Sequence, residues 1–88
     1  MLVLPEEFAR YCDDQTRLAH GGATVAEAVA GLAARFPELA KRLLDQQGRL
    51  MPHLVVLHEG EVVAPEQTVN RRVGPTDTLE IYTAASGG

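Results

Sequence analysis

"TVAEAVAGLAARFPELAKRLLD", residues 24–45, is the stretch on which the fold turns. Thr24 followed three residues later by Glu27 has capping-box spacing. In that arrangement the Thr24 hydroxyl accepts from the Glu27 N–H, and the Glu27 carboxylate reaches back to the Thr24 N–H. Val25, Val29, Leu32 and Phe36 then recur at intervals of four, three and four, which is one face of an α-helix. Ala26, Ala28, Ala30, Ala33 and Ala34 add propensity. Gly31 is the weak point, and a close approach of the helix to a sheet would account for it. Pro37 ends this helix and opens a second one as its first-turn residue. Leu39, Leu43 and Leu44 give the second helix an apolar side, and Gly48 is placed to terminate it.

On the C-terminal side, "HLVVLHEGEVV" (53–63) reads as a strand, a tight turn at Glu59-Gly60 and a short return strand. A polar loop carrying Gly74-Pro75 leads to "TLEIY" (78–82), where Leu79 and Ile81 alternate with Glu80 and Tyr82. On the N-terminal side, Met1 to Leu4 starts as a strand stopped by Pro5. In "PEEFARYC" (5–12), Phe8, Tyr11 and Cys12 fit either one side of a helical turn or an irregular edge. "DDQ" (13–15) is turn chemistry, and "TRLAH" (16–20) returns as a second strand closed by Gly21-Gly22. The order is strand, strand, helix, short helix, strand, short strand, strand. A mixed sheet of four or five strands covering one main helix, with the first and last strands parallel at its centre, is the α+β arrangement called a β-grasp. Ferredoxin-like sandwiches share part of this order.

The chain has 88 residues, enough for one domain. Its single cysteine, Cys12, excludes an internal disulfide and fits a reducing compartment. There is no apolar run of membrane-spanning length and no signal-peptide pattern, so a cytoplasmic protein without a membrane partner is expected. With 8 basic and 12 acidic residues, two Tyr, two Phe and no Trp, the chain lacks the basic stripe and stacking platforms of a nucleic-acid binder. Cys12 reads as packing, with no basic neighbour to lower its pKa. His20, His53 and His58 have no metal-site spacing, so no metal is expected; His58 reads as a satisfied histidine near a turn. Arg71-Arg72 reads first as a solvated loop pair and second as a contact for an acidic partner. Glu6-Glu7 and Asp13-Asp14 make no credible acid–base dyad in a chain this small.

What remains is the end, "AASGG" (84–88). As a bland reading, Ser-Gly-Gly is a frayed terminus or a cloning remnant. Behind a β-grasp pattern a working terminus is the better reading. Residues 1–82 would form the body and residues 83–88 a flexible tail able to extend at most ~20 Å. Ala84, Ala85 and Ser86 are small, and Gly87 and Gly88 lack a Cβ, so the segment can thread a narrow channel.

Taken together, "TVAEAVAGLAARFPELAKRLLD", "GRL", "HLVVLHEGEVV" and "DTLEIYTAASGG" resemble the ubiquitin-like sulfur carriers of the ThiS and MoaD type, with the CysO-type carriers nearest. The resemblance spans about residues 18–88. It implies a carrier rather than an enzyme, with no catalytic side chain and no bound cofactor. Gly88 would be adenylated by an E1-like partner of the MoeB/ThiF type, which uses ATP. A sulfur donor would then convert the adenylate to a thiocarboxylate that serves a sulfur-accepting biosynthetic enzyme. The products could be cysteine, thiamin, molybdopterin or another sulfur-containing metabolite. The same adenylate chemistry fits a ubiquitin-like modifier joined to targets through Gly88, and the same fold fits the small subunit of molybdopterin synthase. A β-grasp interaction module with an idle tail is the remaining reading. If Leu54, Val56, Leu79 and Ile81 face the helix, then Val55, Leu57 and Tyr82 face away, and related carriers imply that the activating enzyme grips that side.

Overall fold

The computed structural model describes residues 1–84. A five-stranded sheet is built from β1 (Leu2–Val3), β2 (Arg17–Leu18), β3 (Leu54–His58), β4 (Glu61–Val63) and β5 (Leu79–Thr83), in the order β2-β1-β5-β3-β4. β1 and β5 are parallel, and the other neighbours are antiparallel. This is the expected β-grasp, with β5 at the centre.

Helix α1 (Val25–Arg35) and helix α2 (Pro37–Leu43) cover one face of the sheet. The face read from the sequence is the one buried. Val25, Ala28, Val29 and Leu32 pack against Leu2, Val56, Leu79 and Ile81 in one continuous core. Each Val, Leu or Ile among them contributes about 1.5–3 kcal/mol by leaving water. Phe36 closes the stripe from a partly buried position. Pro37 opens α2 as expected, with Leu39 and Leu43 fully buried.

Several local expectations change. The Glu27 N–H donates to Thr24 Oγ1 (3.2 Å), but the Glu27 carboxylate accepts from Ala23 N–H (3.1 Å) rather than from Thr24. Gly31 does not approach the sheet: a Cβ there meets nothing within 4 Å. The indispensable glycine is Gly22, where a Cβ would lie 2.3 Å from the Ala28 nitrogen. Gly48, at φ +81°, sits in the turn beyond α2 rather than capping it, because Leu44 has already left the helix to bridge Leu50.

The N-terminal hairpin has a two-residue first strand, and "PEEFARYC" resolves as a 3-10 helix, Glu6–Tyr11. Phe8 and Cys12 turn into the core, while Asp13 and Asp14 make the turn at φ 57° and 60°. Asp adopts this left-handed region more readily than most residues, which is why the pair serves here. The Glu59-Gly60 turn has φ 50° and 86°, the two positive values that a type I′ hairpin turn demands.

Candidate functional site

The side of the sheet away from the helices is shaped by strand alternation. Along β3, Leu54, Val56 and His58 are buried, while Val55 and Leu57 are half-buried on the opposite face. Register sets Val55 opposite Tyr82 and Leu57 opposite Glu80. The expected trio of Val55, Leu57 and Tyr82 is therefore brought together across two adjacent strands. Leu57 also faces Val62 of β4, and Glu80 faces Val3 of β1. Val62 is 67% exposed and Tyr82 45%. Val62 and Val3 enlarge the apolar surface beyond what the sequence reading assigned. The signal was available for Val62, because alternation in "EVV" sends Val63 inward and Val62 outward. The Tyr82 hydroxyl donates to Glu80 Oε2 (2.8 Å), and this bond to a carboxylate pushes the phenol pKa up. The described surface is thus an apolar row with one fixed polar bracket.

The end of β5 sits at the same pole as the 3-10 helix. Thr83, read from the sequence as the first tail residue, is the last residue of the strand and pairs with Leu54. Its hydroxyl donates to Glu7 Oε1 (3.3 Å), and the Ala84 N–H donates to the His53 carbonyl (2.7 Å). Ala84 is therefore tied to the sheet at its nitrogen. Ala85, Ser86, Gly87 and Gly88 lie outside the described residues. Those last four residues can span at most ~14 Å, shorter than the reach first assigned to six.

The opposite pole holds a polar cluster that sequence reasoning did not assemble. Arg71 Nε–H donates to His58 Nδ1 (2.9 Å), so Nδ1 is the acceptor. Nε2 then carries the hydrogen and donates to Asp77 Oδ2 (2.8 Å). His58 is the satisfied histidine expected of it. Asp77 also accepts from the Gly74 N–H (2.8 Å). Its carboxyl pKa is held down, first by that backbone bond and then by His58. Its carbonyl takes the Met1 amino group (2.7 Å) and His20 Nε2 (3.0 Å). The expected solvated pair Arg71-Arg72 is divided: Arg72 is exposed, whereas half-buried Arg71 binds His58 and pairs with Glu61. This cluster braces the fold. Cys12 is fully buried, and burial raises its thiol pKa, so it is a packing residue. Among the described residues no three His, Cys, Asp or Glu side chains are grouped to hold a metal ion, and no helix is long and apolar enough to cross a membrane.

Comparisons with known proteins bear on this geometry. No curated protein matches the sequence. A chain of the BexX/CysO complex from Amycolatopsis orientalis superposes with a TM-score of 0.84 at 24% identity, covering 99% of this chain and 97% of that one. SAMP1 from Haloferax volcanii superposes at 0.75 with 27% identity, covering 99% and 96%. Mycobacterium tuberculosis CysO superposes at 0.82 with 19% identity, covering 96% and 97%. The sequence profile of the ThiS family matches residues 4–88. An open β-grasp sheet, a half-buried apolar outer face, and a profile match across nearly the whole chain together make this protein a member of the ThiS family of small ubiquitin-like carriers.

Proposed function

We propose that the protein is a sulfur carrier whose working group is the carboxyl of Gly88. The observation that carries this reading is the family match running to residue 88. A free carboxylate is a poor electrophile. Transfer of AMP from ATP, with release of pyrophosphate, gives a mixed anhydride with a good leaving group. Attack by a sulfur donor then expels AMP and leaves a thiocarboxylate, a polarizable nucleophile for a sulfur-accepting enzyme. Both ATP and the activating machinery belong to an E1-like partner of the MoeB/ThiF type; this chain supplies the handle and the terminus. Gly87 and Gly88 suit the step because a residue without a Cβ lets the backbone approach a nucleotide closely. Ala84, Ala85 and Ser86 are small enough to follow them into a channel. Val55, Leu57 and Tyr82 form the face that the activating enzyme holds.

The test is the intact mass of the protein taken from its native cells, before and after thiol treatment. The expected result is a species heavier by the exchange of one oxygen for sulfur, lost when Gly88 is deleted. Only unmodified protein in sulfur-replete cells, together with full growth of a Gly88-deletion strain, overturns the reading.

A second reading is favoured by the likeness to SAMP1, one structure of which is described as a small archaeal modifier protein. The same adenylate, attacked by a lysine amine, would yield an isopeptide bond between Gly88 and a target. Enrichment of such adducts under conditions that leave the free thiocarboxylate undetectable selects this reading. Stable co-purification with a larger molybdopterin-synthase subunit would point instead to the small-subunit role.

A further inference from the structure

Next to the root of the C-terminal segment lies a feature that the docking face does not use. Tyr11, partly buried against the core, carries two guanidinium groups on its ring: Arg42 at 4.7 Å from the centroid and Arg10 at 5.8 Å. Both arginines are exposed, and neither has a carboxylate within ion-pair distance among the described residues. The neighbouring Lys41 pairs directly with Glu38 at 2.9 Å, and that carboxylate also feels the charge of Arg42 from beyond ion-pair distance. Stacking restricts a guanidinium and occupies its faces while leaving its N–H edge outward, the edge that grips a carboxylate bidentately.

Its position gives it meaning. Glu7, which accepts from Thr83 at the end of β5, and Arg10 lie three residues apart in one 3-10 helix. Such residues eclipse, with a rise of about 6 Å. Arg10 therefore lies one turn of this helix from the residue that holds Thr83, and Arg42 shares its Tyr11 ring. A protein that encloses the segment beyond Ala84 must come close to this pair. We propose that Arg10 and Arg42, held on Tyr11, are a charged rim that receives carboxylates bordering the channel of the activating enzyme. This rests on the carrier reading above. It adds a second contact on the helix side of the terminus, separate from the apolar outer face. Rim charges of this kind act on encounter and register more than on chemistry, and salt screens them.

The experiment is ATP-dependent pyrophosphate release by the E1-like adenylating enzyme of the same genome, with the full-length carrier as the varied substrate. The double variant Arg10→Glu/Arg42→Glu should raise KM about tenfold at low salt with kcat unchanged. The gap should close in about 1 M salt, where the screening length falls to about 3 Å. Arg10→Lys/Arg42→Lys keeps the charge and loses the planar fork, so it should give a smaller rise, which separates charge recognition from misfolding. Thermal unfolding of both variants should stay cooperative, with only a small downward shift from the lost stacking on Tyr11. Adenylation of the unaltered protein with the same KM and salt dependence in the reversed variant overturns the rim alone. No adenylation of the unaltered protein at any concentration overturns the carrier reading and the rim with it.

Discussion

The two ends of β5 are built to opposite specifications. At its start, Asp77 binds His58, Gly74, His20 and the Met1 amino group, and the Thr78 N–H donates to the Glu59 carboxylate. At its finish, beyond the ladder with β3, the described residues show one backbone bond from Ala84 and one hydroxyl bond from Thr83. Residue composition follows the contrast. The first pole gathers side chains from four separate segments, whereas the second tapers into alanine, serine and glycine. A strand whose far end is offered to another protein needs its near end fixed, since otherwise binding would also have to order the body. The division of labour lies along a single strand.

The comparison breaks most visibly at the fixed pole. His58→Ala strands the Arg71 and Asp77 groups that the imidazole joined. It should cost about 2–3 kcal/mol, read as a lower urea midpoint with an unchanged slope. An unchanged midpoint would mean that the cluster does not brace the sheet.

Acid attacks the same pole through Asp77. Its folded pKa lies below the ordinary 3.8, so its contribution is whole above that value and disappears as pH falls through the lower folded value. Thermal unfolding followed downward from pH 5 should therefore show an acid-sensitive component that Asp77→Asn reduces.

Between the poles, Leu57→Arg should weaken binding of the activating enzyme about tenfold while the urea midpoint stays within the equivalent of about 0.5 kcal/mol. Equal binding by both proteins in a calorimetric titration removes the outer face from the docking surface. The smallest effect belongs to the loose pole. Thr83→Ala removes only the exposed bond to Glu7 and should shift stability by no more than about 0.5 kcal/mol. A loss as large as that of His58→Ala would erase the contrast altogether.

Much of this was legible in the sequence because it is written in local patterns. Period 3.6 from Val25 to Phe36 located α1 and its buried face. Pro37 marked the break, Glu59-Gly60 gave the hairpin, and alternation in "LVVLH" and "LEIY" sorted inner from outer residues. The readings that failed share a cause: they depended on what lies across space. Gly31 in mid-helix suggests a packing glycine, yet it faces open solvent. Gly22 looked like simple loop punctuation, yet the first turn of α1 passes over it at a distance that forbids a side chain. The Asp77 cluster joins residues 20, 58, 71, 74 and 77, and no spacing rule connects them. "PEEFARYC" carried too few residues for any period to declare itself, so burial of Phe8 and Cys12 decided it. The four residues that would carry the chemistry, Ala85 to Gly88, were read from composition and resemblance alone.

β1 lies parallel to β5, so the amino end of the first strand and the carboxyl end of the last point to opposite poles. Tension applied between those ends loads the ladder in shear, with its rungs strained together rather than unzipped one at a time. An unfolding motor or a force probe gripping the terminus therefore loads the β1–β5 pairing at the centre of the sheet.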